Sequence, residues 1–192
     1  MPRALGLCSR TGSAVAVAVD GVALVGRWAL DLTEGRAPGQ VYHVVADLPL
    51  PQAEALVRQA IDTVTELATR RLRELQAAVG TLDAVGVVIG DHPVPESIPA
   101  ILASHPLMHA AEGQLYRNAL LDATARVGLR GIGLARGQAA HKLAGDLAGP
   151  VRRLGTAAGP PWRKEHKLAA VAALTAGRLR PVARRHSFAA EG

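Results

Sequence analysis

Apolar and polar positions change their rhythm along this chain, switching between the period of strands and that of helices. Residues 3–9 are short and apolar and end in Ser9-Arg10-Thr11-Gly12-Ser13, a run of turn-forming residues. Residues 14–19 alternate Val and Ala, as a strand does. Asp20-Gly21 then supplies a hairpin turn before a third apolar stretch over 23–32, which carries Trp28. Three strands joined by tight turns predict an antiparallel meander. Residues 35–39 form a loop, and 41–46 are expected to be a further short strand or an extended connection.

The clearest helix is predicted over 52–79. Ala53, Leu56, Ala60, Ile61, Val64, Leu67, Ala68, Leu75 and Val79 keep a 3.6-residue spacing and define one apolar face. Glu54/Arg58 and Glu66/Arg70 are expected to pair on its outside, and Gly80 ends it. Residues 84–89, Ala-Val-Gly-Val-Val-Ile, form the unbroken apolar run of a buried parallel strand. The loop Asp91-His92-Pro93-Val94-Pro95 follows its C-terminal end, where open α/β sheets place their sites. Helices are expected over 97–103 and from about 106 to 127, a strand over 129–135 and a helix over 139–147. A Gly/Pro-rich link covers 149–161, and a final helix runs over 163–176 until Gly177 and Pro181 break it. The chain therefore divides into one α/β domain over 1–176 and a basic tail over 177–192, expected to be disordered.

Composition narrows the class. Apolar residues make up 49% of the 192 positions and aromatics only 3%, so the core is packed from small aliphatic side chains. No apolar run reaches the roughly 18 residues of a membrane span, and the opening residues lack the pattern of a secretory leader. Cys8 is the single cysteine and can form no internal disulfide. These features point to a cytoplasmic protein without membrane partners. Charge is unevenly placed: residues 151–192 hold nine Lys/Arg and two acids, a net of +7, while 1–150 carry a net of −1. Such a basic end attracts polyanions by Coulomb forces and counterion release, although it also serves simply to keep a chain soluble.

The order of elements is meander, helix, strand, helix, strand, helices. It is similar to the ribonuclease H-like fold, a mixed sheet flanked by helices, and in particular resembles the Holliday-junction resolvases of the RuvC type. Three local matches carry the resemblance. Gly6-Leu7-Cys8-Ser9-Arg10-Thr11-Gly12-Ser13 looks like the family's opening strand and turn. Glu112-Gly113-Gln114-Leu115 falls where that family has a Gly-Gln pair on its central helix. Lys164-Glu165-His166-Lys167-Leu168 falls where it has a basic, helix-starting segment. The resemblance spans about residues 3–176. It implies a nuclease site in which clustered carboxylates hold two divalent cations. The first of those carboxylates belongs where this chain has Cys8. Another belongs where it has Gly90, with Asp91 one step later, and the last belong where it offers Lys164, Glu165 and Lys167. A thiol does not replace a hard oxygen ligand for Mg²⁺, so the two-metal site is expected to be absent.

Other groupings of polar side chains carry candidate chemistry of their own. His105, His109 and Glu112, with Tyr116 beyond, lie along one face of a helix. Two imidazoles and a carboxylate so placed can hold a transition metal, but the Glu follows both His, unlike the zinc-protease motif. Pro106 puts His105 at the helix end. A polar helix edge is the plainer reading, and no metal site is assigned. Cys8 is expected to be a buried core residue rather than a nucleophile. No Gly-x-Ser-x-Gly, P-loop or GxGxxG pattern occurs.

The leading expectation is a noncatalytic or remodelled ribonuclease H-like protein that binds nucleic acid. Arg163, Lys164, Lys167, Arg178, Arg180, Arg184 and Arg185 would contact phosphates. One alternative is an enzyme with a reworked polar site of Asp91, His92, His109 and Glu112, acting on a phosphorylated substrate. It would use no cofactor, or Mg or Mn if the site is remodelled rather than lost. The other is a structural or adaptor subunit pairing with itself as a homodimer, or with another chain, through Ala-rich surfaces.

Overall fold

A computed structural model describes residues 3–178. Its centre is a five-stranded sheet in the order β3-β2-β1-β4-β5, built from β1 (Arg3–Arg10), β2 (Ser13–Asp20), β3 (Ala23–Asp31), β4 (Ala84–Ile89) and β5 (Gly131–Ala135). The first three strands form the antiparallel meander, and β1, β4 and β5 run parallel. Seven helices cover the two faces among the described residues: α1 (Val41–Val44), α2 (Leu50–Val79), α3 (Ile98–Leu102), α4 (His105–Arg126), α5 (Arg136–Ala144), α6 (Ala148–Ala158) and α7 (Lys164–Arg178).

Strand alternation sorts the sheet into two cores. Leu5 and Leu7 of β1 and the alanines of β2 face α2 and α4, where they meet Val57, Val64, Leu72, Leu115 and Leu120. Ala4 and Cys8, with Val15, Val17 and Val19 of β2, face α5, α6 and α7. Helix α7 lies directly on β1 and β4. Its run Ala169, Ala170, Val171, Ala172, Ala173 is completely buried. It approaches so closely that a side chain at Gly6 or Gly86 would overlap the backbone carbonyls of Ala169 and Ala172, respectively. Small residues on both surfaces are what permit this, and they explain a core nearly without aromatic rings.

Four expectations are corrected. Residues 41–46 are not extended: Val44 and Val45 donate to the carbonyls of Gln40 and Val41, and the short helix α1 buries Val41, Tyr42 and Val45 against its neighbours. Alternating polarity over so few residues cannot outweigh a tertiary contact, here the buried Glu112 carboxylate accepting from the Tyr42 amide at 2.7 Å. The link over 149–161 contains α6, anchored by buried Val151 and Leu154, with the ring of Trp162 filling the space beside Gly155. Pro150 falls in the first turn of α6, where its missing N–H breaks no helical hydrogen bond. On α2, Leu56 and Ile61 are exposed, and Val57 and Leu72 take their places in the buried face. Finally, Glu66 pairs with Arg36 at 3.3 Å, and Arg70 reaches Glu34 and Glu74; Glu54 and Arg58 form no ion pair. Loop acids brought alongside α2 by the fold compete with partners on the same helix.

The last helix also runs further than expected, through Gly177 to Arg178. Of the expected tail, 179–192 lie outside the described residues.

Candidate functional site

The C-terminal ends of β1, β4 and β5 meet the first turns of α5 and α7, and this edge gathers the chain's least conventional electrostatics. Cys8 is fully buried, in register with Val88 of β4. The first residue after β5 is Arg136, which opens α5 and brings its guanidinium to 4.0 Å from the Cys8 sulfur. Burial raises the Cys8 pKa. Arg136 pulls it down, Glu165 raises it, and Arg10 and Arg117 pull it down in turn. The thiol is thus neutral near pH 7, in a setting made of three arginines and a single carboxylate.

Arg117 reaches this edge from α4. Its guanidinium lies where side chains at Gly90 and Gly113 would otherwise sit, 3.2 Å and 2.7 Å from the positions of their absent Cβ atoms. Burial lowers the Arg117 pKa, and the neighbouring charge of Arg136 lowers it further. Among the described residues neither Arg117 nor Arg136 makes an ion pair with a carboxylate. Two half-buried cations held together without an anion form a site suited to binding one. Immediately around Cys8 the donors are one sulfur, one glutamate and three guanidiniums, a set poor in the oxygens that hard divalent cations take.

The residues expected from the sequence fall into separate places. Asp91 is exposed, and its carboxylate accepts from the Gly137 amide at 2.7 Å, tying the end of β4 to the first turn of α5. His92 is exposed in the same loop. His109 and Glu112 lie together on α4, beside His43 of α1 and His105, and no contact joins them to Asp91 or His92. Glu112 is 2% exposed. Burial raises its pKa, opposed by hydrogen bonds from the Tyr42 amide and from His43. It is no part of a polar helix edge. The Tyr116 phenol, pushed up to about 12 mainly by burial, donates to the Gly39 carbonyl at 2.9 Å. Lys164 and Lys167 are exposed on the first turn of α7, with Arg163 just ahead of it, while Glu165 on that turn faces Cys8. Arg178 is paired with Asp146 at 2.9 Å. Arg180, Arg184 and Arg185 lie outside the described residues.

Sequence reasoning noted Arg10 beside Cys8 but did not single out Arg117 or Arg136. Arg136 directly follows an apolar strand and Arg117 stands four residues beyond Gly113, but neither spacing signals a site until the fold brings them together.

The fold has relatives among solved structures. Thermus thermophilus RuvC in complex with a Holliday junction substrate is 15% identical, with a TM-score of 0.57 over 91% of this chain and 92% of that one. Another structure of Thermus thermophilus RuvC is 14% identical, with a TM-score of 0.55 over 90% of this chain and 92% of that one. The likeness is one of fold, the RuvC-like form of the ribonuclease H architecture. No family profile and no curated protein matches the sequence. Among the described residues, no helix is long and apolar enough to cross a membrane.

Proposed function

We propose that this chain is a ribonuclease H-fold protein that grips the phosphate backbone of nucleic acid at the C-terminal edge of β1, β4 and β5, without two-metal cleavage. One observation carries the reading: the Arg136 guanidinium stands 4.0 Å from Cys8, at the strand position where the resemblance to the resolvases implies a carboxylate. Arg117 and Arg10 join it there. A phosphate entering the site would supply the negative charge that the two half-buried guanidiniums lack. Arg163, Lys164 and Lys167 on the neighbouring α7 turn, and Arg180, Arg184 and Arg185 beyond it, would extend the contact along a strand. The similarity to a RuvC solved with a Holliday junction supports nucleic acid as the ligand.

The test is a salt titration of binding to duplex DNA, a four-way junction, single-stranded DNA and RNA. Affinity should fall linearly on a log–log plot, and Arg117→Ala and Arg136→Ala should each reduce the slope by about 1. No binding at low salt would remove the proposal. Cleavage with Mg²⁺ or Mn²⁺ that is abolished by Asp91→Ala or Glu112→Ala would replace it with the reworked enzyme.

A further inference from the structure

A cluster formed by α1 and the first turns of α4 has no part in that reading. His43 lies in the last turn of α1, His105 is the first residue of α4, and His109 follows one turn later. The Nε2 atoms of His105 and His109 are 3.0 Å apart. The His43 ring centroid lies 5.0 Å from that of His105 and 4.5 Å from that of His109, with interplanar angles of 85° and 47°. His105 and His109 are themselves perpendicular, at 90°. The rings are therefore not stacked. One nitrogen from each lies within 4.8 Å of the other two.

Tetrahedral Zn²⁺ holds nitrogens at about 2.0–2.1 Å, which places any two of them about 3.3–3.4 Å apart. Small rotamer adjustments of two exposed side chains would bring the trio to that spacing.

Two buried groups nearby lack partners, and a cation would give one to the histidine. The Nδ1 of His43 faces the Glu112 carboxylate at 3.4 Å, which leaves Nε2 as the free nitrogen of that ring, and this buried Nε2 has no hydrogen-bond partner. Glu112 is itself held by the Tyr42 amide, is almost wholly buried, and has its second oxygen unpartnered. A carboxylate that takes the Nδ1 proton of a histidine and turns Nε2 toward a metal is the usual outer-shell arrangement of histidine-bound metals. Without a cation nearby, the fold buries a carboxylate with one oxygen left unpartnered, which is costly.

We infer that His43, His105 and His109 bind one transition-metal ion of the zinc class, oriented by Glu112, which clips α1 to the first turn of α4. Imidazole donors select borderline ions such as Zn²⁺, Co²⁺ and Ni²⁺ over Mg²⁺ or Ca²⁺. Because His105 and His109 are exposed, the fourth position opens to solvent and is filled by water.

The experiment uses the tag-free full chain, stripped with a chelator and titrated with Zn²⁺ by calorimetry, with Co²⁺ as a spectroscopic probe. One ion per chain is expected. Co²⁺ should give the intense visible absorption of a four- or five-coordinate site. His105→Ala and His109→Ala should each weaken Zn²⁺ binding by at least about tenfold, and Glu112→Gln by about tenfold. His141→Ala, on exposed α5 surface, should change nothing. His105 and His109 are exposed, so their variants should fold, which circular dichroism without metal verifies. Absence of saturable binding, or binding and colour that survive in the His105→Ala/His109→Ala double variant, would overturn the inference. Nucleic-acid binding is read separately, so either result leaves the other proposal independently testable.

Discussion

A methyl group on Gly6 would overlap the carbonyl oxygen of Ala169 and come within 2.5 Å of the Ala173 amide nitrogen, so α7 and β1 touch backbone to backbone. Gly86 meets Ala172 in the same way on β4. This contact sets the height of α7 above the sheet, and with it the placement of Glu165 beside Cys8. Gly6→Ala and Gly86→Ala should therefore each destabilise the protein by about 1–3 kcal/mol or prevent folding. Gly39→Ala meets only the Thr11 methyl at an ordinary 3.6 Å and should be near neutral. Urea unfolding compares them; a Gly6→Ala protein as stable as the parent would refute the contact.

Cys8 should be a silent thiol. Its pKa is raised in the folded state, chiefly by burial, so the proton is held more tightly when folded than when unfolded. The sign follows: the stabilisation is fully present below the unfolded thiol value of about 8.5 and is lost as pH rises through the higher folded value. Cys8→Ala should flatten the decline of stability above about pH 8.5. Alkylation by iodoacetamide at neutral pH should be slow in the native protein and fast in denaturant. Rapid native modification would place the sulfur at the surface.

Arg117 trades stability for a ligand site. It is partly buried, its charge is disfavoured there, and it contacts no carboxylate. Arg117→Met keeps the length and packing of the side chain and removes the charge. Stability should hold, or rise by up to about 1 kcal/mol, while affinity for nucleic acid falls. Parallel melting and anisotropy measurements read both. A variant that binds as well as the parent would take Arg117 out of the interface.

Glu112 should matter to the metal-free fold as well. Glu112→Ala leaves the buried Tyr42 amide without an acceptor and is expected to cost about 1–3 kcal/mol. Glu112→Gln keeps an acceptor oxygen and should cost less. Equal losses from both variants, measured by chemical denaturation with chelator present, would mean that the negative charge and not the hydrogen bond holds α1 in place.

The strands and most helices were legible because periodicity is a local property: the Val/Ala alternation of β2 and the apolar run of β4 each require an extended chain buried on one or both faces. What escaped was decided by contacts between distant residues. Residues 41–44 become a helix because Glu112, far along the chain, accepts from Tyr42. Arg70 leaves its expected partner because Glu34 is brought beside it. The histidine spacing on α4 was visible, but His43 could join it only once α1 was packed against that helix.

The sequence by itself therefore determined the order of elements, the small-residue core and the presence of a thiol at the end of the first strand. Only the tertiary structure decided that Arg117 and Arg136 converge on that position and that a third imidazole meets His105 and His109. The physical reason is range. Hydrophobic period acts over one or two turns, whereas charges and ligand atoms work through distances in space that the chain must first fold to create.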